Sequence, residues 1–125
     1  LAYSRIAYSH DMLTLYSAAD VVVCRAGAST IAEVSTVGVC AVVVPWKDAA
    51  ENHQLVNAKW LTDRGGAVLL EESALTVHEF SQLVTELLRD DDRRSAIASR
   101  ARELGAVHRQ SSIASVIEGA AKAKV

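Results

Sequence analysis

The residues best suited to binding chemistry lie in three polar stretches, each after a short apolar run: YSHDM (8–12), RAGAST (25–30) and WKDAAENHQ (46–54). In the second stretch, Gly27 and Ala28 are small enough for a ligand to approach the backbone. A helix that begins there presents free backbone amides and partial positive charge, which suits a diphosphate. Ser29 and Thr30 add hydroxyls, and Glu33 follows about one turn later, where its carboxylate can accept hydrogen bonds from sugar hydroxyls. These group types fit a nucleotide.

A second interpretation of the same segment needs no ligand. The run Thr30-Ile31-Ala32-Glu33 matches the capping box, in which the glutamate side chain bonds back to the amide of the cap residue. Arg25 is equally open, since its guanidinium can face an anionic ligand, hold loop carbonyls or pair with a nearby carboxylate. Spacing alone does not separate ligand contact from helix capping, and both interpretations stand.

The third polar stretch leads into NHQLVNA, where His53, Gln54 and Asn57 share one face of a predicted helix start at positions i, i+1 and i+4. Amide side chains there can bind sugar hydroxyls; the alternative is a helix that begins with a polar, solvated turn. A general-base role for His53 is not favoured, because no serine, cysteine or second histidine lies nearby to form a relay. In the first stretch, Ser9 or Asp11 can cap the following helix without any ligand.

The composition predicts one globular domain over residues 1–125. Of these residues, 50% are apolar and 22% are charged, which allows a sizeable core. The formal charge of −2 gives no basic surface for binding nucleic acid, and no apolar run reaches the roughly 20 residues of a membrane span. Cys24 and Cys40 stand in or beside apolar runs, which indicates buried reduced thiols in a cytosolic protein. The four histidines lack an i,i+4 pair, so no metal site is predicted.

Short apolar runs alternate with longer helical patterns, which is typical of parallel strands joined by crossover helices, so the predicted class is α/β. The run DVVVC predicts a strand buried on both faces. The end of a first strand is expected at 6–8, and further strands are expected at 20–24, 40–45 and 67–70. Helices are expected at 11–18, 30–38 and 53–64, from Thr76 onwards, from the acidic run 90–92 to Gly105, and around 113–120. The helix from Thr76 carries one apolar stripe: Val77, Phe80, Leu83, Val84, Leu87 and Leu88.

A joint pattern of residues carries a family resemblance over roughly residues 8 to 105. It consists, in order, of Arg25-Ala26-Gly27-Ala28, Thr30, Glu33, Gly38, Pro45, His53-Gln54, Asn57-Ala58 and Gly65. With this pattern the chain resembles the C-terminal, donor-binding half of the MurG family, within glycosyltransferase family 28. The resemblance implies a Rossmann-like parallel sheet with flanking helices, as an incomplete C-terminal half of a GT-B glycosyltransferase. It also implies inverting transfer of N-acetylglucosamine from UDP-N-acetylglucosamine to lipid I, giving lipid II for peptidoglycan, with no cofactor and no essential metal.

The same resemblance implies donor contacts at matching positions. Glu33 is expected to bind the ribose hydroxyls, and the turn near the diphosphate is expected to comprise Gly27, Ala28, Ser29 and Thr30. His53 and Gln54 are expected to contact the N-acetylglucosamine, with Asn57 supporting that helix start. No catalytic residue is assigned within this chain.

The segment expected beside the uracil is less typical of the family. Tyr8 and Ser9 stand at the positions whose backbone is expected to hydrogen-bond the uracil. The family frequently has a phenylalanine and an aliphatic residue there. Cys40 stands where proline is usual, and Ser29 stands where an apolar residue is common. The last two departures are expected to alter local stiffness more than chemistry.

The chain is expected to be a fragment, because it begins at Leu1 and lacks the glycine-rich phosphate loop and the acceptor domain of the resembled family. The isolated chain is therefore expected to be inactive. Its expected partners are the UDP-sugar donor and, through the missing N-terminal domain, a lipid-linked acceptor and the inner face of the plasma membrane. Exposed sheet edges favour self-association of the fragment. Two alternatives are a non-catalytic nucleotide-sugar-binding module and the small donor subunit of a two-chain transferase.

Overall fold

Three short parallel strands form one sheet and follow one another across it in chain order. The computed structural model describes residues 2–48 and 52–109. Its strands are β1 (Val22–Cys24), β2 (Ala41–Val43) and β3 (Val68–Leu69). Its helices are α1 (Met12–Ala18), α2 (Ala28–Val37), α3 (His53–Thr62), α4 (Val77–Arg89), α5 (Asp91–Leu104) and α6 (Ala106–Arg109), with a short 3₁₀ helix at Glu72–Ala74. The predicted α/β class, with a Rossmann-like parallel sheet and flanking helices, is confirmed.

The central strand is β2, which pairs with β1 on one side and with β3 on the other. Val42 lies opposite Val23 in β1 and opposite Val68 in β3. Because all three strands are parallel, their carboxyl ends meet at one edge of the sheet. The loops that follow β1 and β2 therefore leave from the same edge, which is where ligands bind in sheets of this type.

The alternation of side chains along β2 divides the core into two apolar clusters. Ala41 and Val43 face the side that carries α1, α2 and α3, in a cluster that also contains Tyr16, Ile31, Val34, Ala58, Leu61 and Ala101. Val42 faces the opposite side, in a cluster that also contains Cys40, Val44 and Leu87, with Leu83 and Ile97 packed against it. Because α5 contributes Ala101 to the first cluster and Ile97 packs against the second, this helix contacts both apolar clusters.

The prediction that the first long apolar run forms a strand buried on both faces is wrong for β1. Val23 is 42% exposed, because Leu87 of α4 packs over β2 and leaves the neighbouring strand uncovered. An apolar groove of about 690 Å³ remains there, lined in part by Val23, Val44, Leu75, Val77 and Phe80. Of the predicted stripe along α4, Leu87 is fully buried, whereas Val77 and Leu88 are exposed at the ends of the helix.

The predicted end of a first strand at residues 6–8 is also wrong. The structure has no strand there, and Ile6 and Tyr8 are exposed. No described strand lies beside this segment, and an extended segment without a neighbour gains no ladder of hydrogen bonds. The three observed strands are shorter than the apolar runs that predicted them. The helix predicted around 113–120 lies outside the described residues.

Two predicted helix starts are confirmed by side chains that cap them. The Thr76 hydroxyl accepts a hydrogen bond from the amide of Glu79 at 3.1 Å and begins α4. The carboxylate of Asp90 accepts one from the amide of Arg93 at 2.9 Å and begins α5. Each cap satisfies an amide that the first helical turn leaves without an internal partner.

Candidate functional site

The turn between β1 and α2 brings the small residues of the second polar stretch to the carboxyl edge of the sheet. Gly27 is the N-cap of α2, with an extended backbone at φ −61° and ψ 148°. The next residues, Ala28, Ser29 and Thr30, form the first helical turn, whose amides have no partner inside the helix. Among the described residues, no side chain accepts a hydrogen bond from these amides. The start of α2 therefore combines unpaired donors with the positive end of the helix dipole, which attracts an anion.

The capping-box interpretation of Thr30 and Glu33 is wrong. The helix begins at Ala28, so Thr30 lies inside the first turn instead of at the N-cap. The Glu33 carboxylate accepts a hydrogen bond at 3.1 Å from the hydroxyl of Ser29, which lies four residues earlier on the same helix face. This bond turns the carboxylate of Glu33 toward the open first turn of α2.

Glu33 also lies close enough to α1 to act electrostatically on Tyr16. Burial raises the pKa of the Tyr16 hydroxyl, and the negative charge of Glu33 raises it further. Tyr16 is buried in the first apolar cluster, so its hydroxyl stays protonated.

Two side chains of α3 hold the residue that precedes this turn. The Oε1 atom of Gln54 accepts hydrogen bonds from the amide of Ala26 at 3.2 Å and from the amide of Trp46 at 2.9 Å. The Nδ2 atom of Asn57 donates to the carbonyl of Ala26 at 3.0 Å. The predicted helix face is thus confirmed for Gln54 and Asn57, and the loops after β1 and β2 are joined through it.

The structure answers the question left open for Arg25. Its Nη1 atom donates to the carbonyl of Val44 at 3.4 Å and forms an ion pair with the carboxylate of Glu72. These contacts link the end of β1 to the segment after β2 and to the 3₁₀ helix after β3. Arg25 holds a loop carbonyl and a nearby carboxylate, as two of the three alternatives predicted.

The first polar stretch is ordered around the start of α1. The carboxylate of Asp11 accepts a hydrogen bond from the amide of Thr14 at 3.1 Å, and the hydroxyl of Ser9 accepts one from the amide of Asp11 at 3.1 Å. Bonds from the hydroxyl and the amide of Thr14 lower the pKa of Asp11. Asp11 therefore caps α1. No hydrogen bond between described residues joins Ser9 to the turn before α2. His53 is the exposed first residue of α3.

Sequence reasoning missed several partners of the predicted site residues. Ala26 and Trp46 contribute backbone amides, which no side-chain pattern identifies, and Glu72 lies 47 residues after Arg25. A small cavity of about 140 Å³ also adjoins the start of α2, lined by Ala28, Ile31, Ala32, Asn57, Trp60 and His108. The rings of Trp60 and His108 meet edge to face there, with centroids 5.7 Å apart. Nothing in the spacing of these two aromatic residues indicates that they meet.

The cysteines are free thiols, as predicted. Burial raises the pKa of Cys24 to about 11 and also raises the pKa of Cys40, so both are protonated at neutral pH. In the described part of the chain, no group of three or more His, Cys, Asp and Glu residues is arranged to hold a metal ion. None of the helices in residues 2–48 and 52–109 is long and apolar enough to cross a membrane.

Comparison with known proteins supports the resemblance drawn from the motifs. Residues 1–117 match the model of the glycosyltransferase family 28 C-terminal domain. The chain is 40% identical over 113 residues to the UDP-N-acetylglucosamine–N-acetylmuramyl-(pentapeptide) pyrophosphoryl-undecaprenol N-acetylglucosamine transferase of Nitratidesulfovibrio vulgaris (strain DP4), which covers 90% of this chain. It is 41% identical over 109 residues, or 87% of this chain, to the protein of the same name from Anaeromyxobacter sp. (strain Fw109-5).

Comparison with a solved structure also shows similarity to a protein of this family. The crystal structure of Acinetobacter baumannii MurG superposes with a TM-score of 0.72 and 41% sequence identity, over 78% of this chain and 28% of that protein. The chain spans 30% and 29% of the length of the two transferases above. Since the family model covers almost the whole chain, this protein belongs to glycosyltransferase family 28 and matches its C-terminal domain.

Proposed function

We propose that this chain is the donor-binding part of a transferase that moves N-acetylglucosamine from UDP-N-acetylglucosamine to lipid I, the undecaprenyl-pyrophosphoryl-N-acetylmuramyl-pentapeptide, giving lipid II. The observation that carries the proposal is the open first turn of α2, where the amides of Ala28, Ser29 and Thr30 have no hydrogen-bond partner among residues 2–48 and 52–109. Family membership supports it, and the names of the relatives supply the donor sugar and the acceptor.

In this proposal the start of α2 binds the diphosphate of the donor. Apart from the adjoining residues, the nearest described atom to a Cβ added at Gly27 would be Thr30 Oγ1, 4.0 Å away, so the glycine leaves space beside the amides. Negative charge builds on the UDP leaving group as the bond between the sugar and the phosphate oxygen breaks. Amides that already point at this charge stabilise it without reorganising, and the helix dipole adds to the effect. The reaction is inverting and proceeds without a covalent intermediate or cofactor.

Glu33 binds the ribose in the same proposal. Its carboxylate carries several acceptor positions, and the hydroxyl of Ser29 occupies one of them. A pair of ribose hydroxyls needs two acceptors on one side, which a carboxylate provides. The position one turn after the phosphate-binding amides agrees with the order of diphosphate and ribose in UDP.

The sugar and the base lie toward the other two polar stretches. His53 and Gln54 contact the N-acetylglucosamine, and Asn57 supports the start of α3 through the carbonyl of Ala26. Tyr8 and Ser9 lie beside the uracil, which is bound through their backbone. The acceptor and the membrane are bound by the N-terminal domain of the full-length enzyme, which acts peripherally on the inner face of the plasma membrane.

Titration of the full-length protein with UDP-N-acetylglucosamine tests the proposal. Glu33→Ala removes the ribose acceptors, and the expected loss of binding free energy is roughly 1 to 3 kcal/mol. Isothermal titration calorimetry with UDP-N-acetylglucosamine and UDP-glucose measures this loss and the sugar preference. Both donors are expected to lose affinity by a similar factor, because they share the ribose.

Glu103→Ala is the matched control, because it removes an exposed carboxylate of α5 that pairs with Arg100. It is expected to leave donor affinity unchanged. Equal donor affinity in Glu33→Ala and wild type contradicts the ribose contact. Donor binding without transfer to lipid I by the full-length protein supports a non-catalytic nucleotide-sugar-binding module instead.

A further inference from the structure

The backbone of Ala26 is buried but lies beyond the sheet. Ala26 has no exposed area, so its amide and carbonyl need partners within the protein. The paired register of β1 and β2 ends at Cys24 and Val43, and the carbonyl of Cys24 accepts a last bond from Val44 at 2.8 Å. The ladder of the sheet therefore does not fix the position of Ala26.

The side chains of α3 supply both missing partners. Gln54 accepts from the amide of Ala26 and Asn57 donates to its carbonyl. The same Gln54 oxygen accepts from the amide of Trp46, so its two lone pairs are used by two different loops. These bonds leave the Nε2 group of Gln54 out of the contacts that hold the loops.

The position of Ala26 determines where α2 begins. Gly27 follows it directly as the N-cap, and the unpaired amides of Ala28, Ser29 and Thr30 come next. A shift at Ala26 therefore moves the donors proposed to bind the diphosphate. Close placement of such donors matters, since a hydrogen bond weakens steeply with distance and angle.

We infer that Gln54 is a positioning residue for the diphosphate-binding turn, acting through the hydrogen bond from the Ala26 amide to its Oε1 atom. This inference rests on the proposed function and adds a role to the sugar contact proposed for the same side chain. A direct sugar contact affects only ligands that carry the sugar. A positioning role affects every ligand that carries the diphosphate.

Binding of UDP and of UDP-N-acetylglucosamine to the full-length protein separates the two roles. Gln54→Met removes the acceptor and is expected to weaken UDP about tenfold, the effect of one misplaced charge-assisted hydrogen bond. UDP-N-acetylglucosamine also loses the proposed sugar contact, so it is expected to weaken by at least the same factor. The milder Gln54→Asn, one methylene shorter, is also expected to weaken UDP as well as UDP-N-acetylglucosamine and serves if Gln54→Met does not fold. Gln82→Met in α4, an exposed glutamine bonded to Glu86, is the matched control and is expected to change neither affinity. Unchanged UDP affinity with weakened UDP-N-acetylglucosamine affinity overturns the positioning role.

Hydrogen exchange without ligand tests the hydrogen bond from the Ala26 amide to Gln54 independently of the proposed function. The amide of Ala26 is expected to exchange faster in Gln54→Met than in wild type. Gln54→Glu keeps an acceptor oxygen, so it is expected to restore slow exchange at this amide. If wild type binds neither ligand, the proposed function fails, whereas the exchange rates still test the hydrogen bond between Ala26 and Gln54 on which the inference depends. Equal exchange of Ala26 in wild type and Gln54→Met overturns it.

Discussion

Two glycines that adjoin α2 differ in what surrounds them. Apart from the two adjoining residues, the nearest described heavy atom to a Cβ atom at Gly27, before the helix, would be Thr30 Oγ1 at 4.0 Å. A Cβ atom at Gly105, after α5, would lie 2.2 Å from the carbonyl oxygen of Ser35 and 2.8 Å from the amide nitrogen of Thr36. Packing within the protein therefore requires a glycine at 105 and does not require one at 27. The contrast shows that α2 is fixed along its second half and left open at its start.

Burial along α2 follows the same division. Val34 and Ser35 have no exposed area, whereas Ala28 and Ser29 are exposed. The hydroxyl of Ser35 donates to the carbonyl of Ile31 at 2.8 Å, so this buried polar group is satisfied where α5 approaches. The second half of α2 is thus packed in the core, whereas its first turn has backbone amides available to bind a ligand.

The largest expected effect is on stability, from Gly105→Ala. The added methyl group meets backbone atoms of α2, which cannot rotate away as a flexible side chain can. Overpacking of this kind is expected to lower the free energy of unfolding by about 3 kcal/mol. Urea-induced unfolding of the full-length protein measures the change. A loss below about 0.5 kcal/mol contradicts close packing of α5 on α2.

The next effect is on binding, from Gly27→Ala. The methyl group enters open space, so the free energy of unfolding is expected to change by less than about 1 kcal/mol, the usual scale of an N-cap substitution. The same methyl group occupies the space proposed for the diphosphate, and donor affinity is expected to fall about tenfold, or about 1.4 kcal/mol. Calorimetric titration with UDP-N-acetylglucosamine checks this. Affinity within about twofold of wild type contradicts a diphosphate beside Gly27.

The smallest effect is expected from Arg25→Met, which removes an ion pair at the edge of the turn. The side chain of Arg25 is 54% exposed and that of Glu72 is 19% exposed, so solvent weakens their attraction. The free energy of unfolding is expected to fall by about 0.5 to 1 kcal/mol, with donor affinity almost unchanged. Glu72→Gln is the matched variant and is expected to cost a similar amount. A tenfold loss of donor affinity in Arg25→Met alone indicates that the guanidinium binds the donor.

The class of fold and the order of the elements from α1 to α5 could be predicted from the sequence. Apolar runs predict the strands, and capping residues such as Thr76 and Asp90 predict where helices begin. Both signals depend only on the local sequence. The exposure of Val23 could not be predicted, since it depends on which strand α4 covers. The apolar run that contains Val23 has the same appearance whether a helix packs over it or not.

The candidate site was predicted as a set of residues but not as a set of contacts. Glu33 was placed on the helix correctly, yet the start of α2 was predicted at Thr30 instead of Ala28. A glycine N-cap carries no side-chain signal, whereas a threonine followed by a glutamate does, so the local pattern favoured the wrong residue. The bond between Gln54 and Ala26 spans 28 residues and involves a backbone amide, and therefore depends on the tertiary fold.

Amide hydrogen exchange of the full-length protein with and without UDP-N-acetylglucosamine tests the central claim most directly. The amides of Ala28, Ser29 and Thr30 have no helical partner and are predicted to exchange fast in the free protein. Donor binding is predicted to slow their exchange and to leave the region around Gly105 unchanged. Bound donor with unchanged exchange at residues 28–30, or slowing elsewhere alone, contradicts a diphosphate site at the start of α2.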